Sequence, residues 1–111
     1  MPEAIERFVR AHEKWNETTT DAQVAAEIRP ALDGLRAFDD VLLATTWPGS
    51  IRAEVQRLLA TNADSVRDRL IALERSPVGA RPPAYARFAL ATVASHQLAL
   101  GIRRDLGLPE Q

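Results

Sequence analysis

The chain has 111 residues, 46% of them apolar, and its 14 basic and 15 acidic side chains leave a formal charge of −1. That length supports one domain over 1–111 with a single modest core, and the apolar share excludes wholesale disorder. Interspersed charge without a basic patch argues against a nucleic-acid partner, and no apolar run reaches the ~18 residues that a membrane span needs.

Nineteen alanines and thirteen leucines against three Phe, two Trp and one Tyr compose packed helices, since a sheet draws on β-branched and aromatic residues. The absence of cysteine removes disulfides, thiol catalysis and Cys-ligated zinc from consideration.

The first helix is predicted over 3–17, where Ile5, Phe8, His12 and Trp15 recur at spacings of three and four. The polar run Asn16 to Thr20 ends it. Thr20 followed by Gln23 forms a capping-box signature, so a second helix should run from Asp21 to about Thr45. Its apolar stripe is Val24, Ile28, Leu32, Leu35, Phe38 and Leu42. Pro30 lacks a backbone donor and crowds the preceding turn, which predicts a kink or break near Glu27–Arg29.

Trp47-Pro48-Gly49 marks a corner, and Pro48 opens a third helix with Ile51, Val55, Leu58, Leu59, Val66, Leu70 and Leu73 on one face. Asn62 and Arg69 fall in that same stripe. Ser76 to Pro83 is a connection, and the fourth helix should begin at Pro82 or Pro83 and reach about Leu106, with Gly107 as C-cap and Pro109 as a stop. Its apolar arc is wide, joining Phe88, Ser95, Ala99, Ile102 and Leu106 to Leu98 on one flank and to Val93 and Leu100 on the other. Such a helix is central to a bundle or partly covered in a dimer.

Asp39 is the sharpest polar anomaly, because the helical wheel sets it among Leu32, Leu35, Ile28 and Leu42 while Asp40 points away. A carboxylate in such a place must be paired or protonated. Counting outward from each turn puts Asp39 level with Val55 and Arg103, so an Asp39–Arg103 ion pair is the predicted clasp of helix register. His96 lies two turns before Arg103. Asp39, Asn62, Arg69, His96 and Arg103 thus form the candidate polar set between the second, third and fourth helices. Trp47 and Trp15 are read as aromatic plugs at the bundle ends.

No catalytic set emerges. Ser50, Ser65, Ser76 and Ser95 lack a nucleophile elbow, and the five glycines are too dispersed for a phosphate loop. His12 and His96 are separated by about 10 Å along the bundle on the same counting, with no HxxxH or HxxE spacing, so no metal or cofactor is expected.

Leu35-Arg36-Ala37-Phe38-Asp39, Trp47-Pro48 and the ending Arg104-Asp105-Leu106-Gly107-Leu108-Pro109 together resemble small helical domains of actinobacterial exported proteins and lipoproteins, a group without assigned activity. That resemblance implies a helical bundle outside the cytoplasm. Trp47-Pro48-Gly49 between two helices is also similar to the motif of WxG-type secreted helical hairpins, although Tyr85-Ala86-Arg87-Phe88-Ala89 lacks that family's acidic tail signal. Leu35 to Leu43 resembles the opening helix of all-helical chorismate mutases; the single lysine, Lys14, stands in another helix.

The sequence therefore predicts an all-α, antiparallel up-down four-helix bundle with a short first helix. The expected role is a non-enzymatic exported accessory or interaction domain, taking an unknown protein partner as a monomer or as a weak homodimer through the fourth helix. The alternatives are a small-ligand-binding or enzymatic bundle using the five polar residues, or a WxG-type secreted protein. MPEAIERFVRAHEKW is too polar and too acidic for a signal peptide, which leaves a cytoplasmic protein or a mature exported domain, and the actinobacterial resemblance implies the exported one.

Overall fold

A capping box starts the longest early element. Thr20 Oγ1 accepts from the Gln23 backbone N–H at 3.1 Å, and Gln23 Oε1 accepts from the Thr20 N–H at 2.8 Å, satisfying two orphan donors. In the computed structural model, which describes residues 2–108, four helices follow one another up and down. These are α1 (Glu3–His12), α2 (Asp21–Ala44), α3 (52–74) and α4 (Arg81–Asp105), with no strand among the described residues.

α1 is shorter than its apolar spacing suggests. It stops at His12, and the Trp15 N–H closes a turn onto the His12 carbonyl at 3.0 Å. The helix lies antiparallel on α2, with Ala4 against Gly34. A Cβ built on Gly34 would come within 2.3 Å of the Ala4 Cβ, so this crossing requires glycine.

Of the kink or break expected near Glu27–Arg29, the break does not occur: α2 is continuous through Pro30. A proline inside a helix costs about 3 kcal/mol in isolation. Here Val24, Ile28, Ala31 and Leu35 are all buried and anchor the turns on both sides, while Pro30 itself faces solvent. Burial of a large aliphatic side chain stabilises by about 1.5–3 kcal/mol, so Val24, Ile28 and Leu35 together outweigh one proline.

α3 consists of Arg52–Thr61 and Asp68–Glu74 joined by a π-helical segment, Asn62–Arg67. A π turn closes on the fifth following residue, so it takes more residues to come around than an α turn. The inward positions therefore step Leu58, Asn62, Val66, Leu70 at intervals of four, and Leu73 follows. Arg69, which a regular helix would align with Asn62, rotates outward and is exposed. Its place in the inward stripe was an error of phase.

α4 begins at Arg81, with Pro82 and Pro83 in its first turn, where missing donors cost little. It ends as predicted at Gly107. With φ at +74°, Gly107 donates to the Arg104 carbonyl at 3.0 Å and Leu108 to the Arg103 carbonyl at 2.8 Å, a Schellman pattern. The stop assigned to Pro109 lies outside the described residues.

The core falls into two clusters. The larger contains Ile5, Phe8, Val24, Ile28, Ala31, Leu35, Val66, Leu70, Leu73, Ala84, Phe88 and Ala91, and draws on all four helices. The smaller contains Leu42, Ile51, Val55, Leu58 and Ile102, and α1 contributes nothing to it. Along its 49 Å length the molecule is thus four helices thick at one end and three at the other.

Candidate functional site

Between the two clusters sits a polar layer. Asn62 is fully buried at the start of the π segment. Its Nδ2 donates to Asp39 Oδ1 at 2.8 Å, and its Oδ1 accepts from Ser95 Oγ at 2.5 Å. One side chain therefore ties α2, α3 and α4 together. Burial raises the Asp39 carboxyl above its ordinary range; the Asn62 hydrogen bond opposes that rise, and the charge of Asp40 adds to it.

This pairing replaces the predicted clasp. Among the described residues the ion pairs are Arg7–Glu3 and Arg81–Asp21; Asp39–Arg103 is not one of them. The hydrogen bonds set Asp39 level with Asn62 and Ser95, whereas the turn count had chosen Val55 and Arg103. Those positions are seven and eight residues away, or about 10–12 Å of helix. Residues 45–51 carry the chain past the end of α2 before α3 begins, so counting outward from the corner misplaces every later level.

The other members of the predicted polar set scatter. Arg69 is exposed, Arg103 is half-buried on the turn beside Ile102, and His96 is half-buried with its Nδ1 enclosed and without a hydrogen-bond partner. The groove that Asp39 lines, about 230 Å³ between α2 and α3, is bordered by Leu32, Arg36, Ala63, Arg67 and Ile71 and by none of the other four. Asp39 and Asn62 are brought together; the five are not.

The larger concavity is elsewhere, at the four-helix end. A cleft of about 600 Å³ opens between the α1–α2 connection and the start of α4, lined by His12, Glu13, Trp15, Asn16, Glu17, Val78, Arg81, Pro82 and Tyr85. The His12 and Tyr85 rings stack with centroids 3.4 Å apart and planes within 2°, and Trp15 meets His12 edge-on at 5.0 Å. Phe8 supports the group from below through edge contacts to Trp15 at 5.7 Å and Phe88 at 5.4 Å. Trp15 Nε1 donates to the Glu27 carboxylate, which fixes the indole.

Arg81 pins this end shut from inside. Its side chain is only 6% exposed, with NH1 donating to the Thr19 carbonyl at 2.8 Å and NH2 to Asp21 Oδ1 at 2.7 Å. The guanidinium also sits 6.0 Å from the Trp15 ring centroid. Its Nε is buried and without a partner. Burial lowers the His12 pKa below its ordinary value, against the pull of Glu13 and Glu27, and burial together with Glu13 raises that of Tyr85.

Trp15 packs against the larger cluster and Trp47 against the smaller, where the Trp47 Nε1 donates to the Leu42 carbonyl at 2.8 Å. Tyr85, Arg81, Glu13 and Glu17 were missed from the sequence. Their common signal is placement: in an up-down bundle the end of the first helix meets the beginning of the fourth, and both are rich in rings and charge.

Among the described residues, no three His, Asp or Glu side chains group as a metal site would require, and no helix is long and apolar enough to cross a membrane. Comparison with family models, curated proteins and solved structures finds no match.

Proposed function

We propose that this chain is a non-catalytic binding module whose ligand enters the aromatic cleft at the four-helix end. The observation that supports it is the cleft itself: about 600 Å³ of concave space walled by His12, Trp15 and Tyr85. Small-molecule sites are commonly concave, largely apolar and of this size, with a few convergent polar groups. The central layer favours binding elsewhere over chemistry there, because Asp39, Asn62 and Ser95 are already engaged with one another.

Amide chemical-shift mapping against a metabolite panel tests the reading, alongside thermal melting, since a ligand of the native state must raise its melting temperature. Shifts confined to residues 12–17 and 78–85 are expected. Shifts centred on Asp39, Asn62 and Ser95 would return the site to the middle of the bundle and overturn it.

An accessory role outside the cytoplasm belongs to the same proposal and is supported by the resemblance at Leu35–Asp39 and Trp47–Pro48; fractionation of the native host cell tests it. So does a weak homodimer through α4, whose Leu90 and Val93 are 72% and 57% exposed. A concentration-dependent mass in light scattering would support that association, and a constant monomer mass would remove it.

A further inference from the structure

We propose that the cleft selects a small organic cation with a flat or methyl-rich apolar body, such as an arylalkylammonium, through its ring faces and the carboxylates of Glu13 and Glu17. The inference rests on the cleft being the binding site and adds the charge and class of its ligand.

The sign of the charge follows from which groups are already engaged. Arg81 supplies the guanidinium on the cleft wall, but its two terminal nitrogens donate to Thr19 and Asp21, and its Nε is enclosed within the protein. An anion entering the cleft would find those donors taken. The carboxylates stand differently. Glu13 and Glu17 line the cleft and are exposed, and Glu27 lies just behind, holding the Trp15 indole. Glu13 lines the same opening as the stacked His12 and Tyr85 rings.

The rings supply the second half of the selection. An aromatic face carries negative quadrupolar potential and attracts ammonium groups by about 0.5–2 kcal/mol, more as water is removed. His12 and Tyr85 are already parallel, and Trp15 stands at 62° to the imidazole, so two ring orientations meet at one opening. Val78 and Pro82 add exposed apolar lining that a hydrated inorganic cation would not use.

The test uses the full chain carrying Trp47→Phe, so that Trp15 is the remaining indole. Benzyltrimethylammonium, benzyl alcohol and phenylacetate are titrated while Trp15 fluorescence is followed. The cation should bind about ten-fold more tightly than phenylacetate, and Glu13→Gln with Glu17→Gln should weaken it about three- to ten-fold while leaving benzyl alcohol unchanged. Tyr85→Leu should weaken cation and alcohol together; should that variant lose its fold, the two exposed glutamate positions decide alone.

Phenylacetate binding as tightly as the cation, or indifference to both glutamate changes, overturns the charge assignment while the cleft remains a site. Silence of Trp15 toward all three probes overturns the cleft and the charge assignment together.

Discussion

The two halves of the bundle solve the same packing problem with different means. At the four-helix end, α1 lays Ile5 and Phe8 over the seam between α2 and α4, and Phe8 contacts Trp15, Tyr85 and Phe88 at once. At the three-helix end no such cover exists. There Leu42, Ile51, Val55, Leu58 and Ile102 close on themselves, with Trp47 leaning in from the corner. The thicker half buries more side chains and yet carries the larger opening, about 600 Å³ where two connections meet. The thinner half carries two smaller concavities, of about 240 and 440 Å³, neither walled by more than one aromatic ring. The Asp39–Asn62–Ser95 layer marks the border.

That contrast is breakable. The largest effect should come from Phe8→Ala, which removes the ring shared by three others; a buried Phe truncation costs about 3–5 kcal/mol. Leu42→Ala, at the rim of the smaller cluster, should cost less, about 2 kcal/mol. Urea melts of the two variants compare the halves directly, and equal losses would show that α1 adds little to the thicker end.

Next comes the border itself. Asn62→Ala leaves the half-buried Asp39 and Ser95 without their shared partner, and because water can reach both, the loss should lie near the low end of the about 1–3 kcal/mol of a fully buried unsatisfied group. Ser95→Ala leaves the Oδ1 of the fully buried Asn62 without its donor and should cost about 1–3 kcal/mol by the same measurement.

The α1–α2 crossing gives a reversible break. Gly34→Ala forces a methyl into Ala4, which should outweigh the better helix propensity of alanine and leave a net loss of about 1 kcal/mol. Adding Ala4→Gly should restore most of it; thermal melting of the four-member cycle reads the coupling.

Titration gives the smallest and most specific effects. The folded pKa of Asp39 is raised, so the native state holds its proton more firmly than the unfolded chain does. That contribution favours folding at low pH and is lost as pH rises from the unfolded value of 3.8 through the raised one. Asp39→Asn keeps an acceptor for Asn62 and removes the charge, so it should match wild type in acid and exceed it slightly at neutral pH. His12 runs the other way. Its folded pKa is lowered, so its contribution is present above the unfolded value of 6.5 and is lost as pH falls through the depressed one. His12→Gln should flatten the part of the melting-temperature profile just below neutrality.

Much of this architecture was legible in the order of residues. The Thr20–Gln23 box, the proline pair at 82–83 and Gly107 fixed three helix ends, because each acts through local backbone chemistry. Asp39 and Asn62 were both assigned inward, and both do face the layer. What escaped were quantities that local pattern does not encode. The path of residues 45–51 sets the offset of α3 against α2, and a count that assumes a symmetric corner inherits an error of two turns. The π segment shifts phase without any marker residue, which is why Arg69 was turned the wrong way. The cleft joins side chains about 60–70 positions apart, drawn from two connections whose approach depends on the Arg81–Asp21 and Arg81–Thr19 contacts.

The widened turn at Asn62–Arg67 makes the chain's length at that point a structural variable. Deleting one residue between Ala63 and Arg67 would let the rod resume regular α periodicity, and the inward steps of four, four, four and three residues would become four, three, four and three, which a 3.6-residue turn accommodates. Leu70 and Leu73 would keep their places in the interior. The protein should therefore tolerate the loss of a single codon here, whereas an added codon, with no second widened turn to absorb it, should swing everything downstream by about 100°.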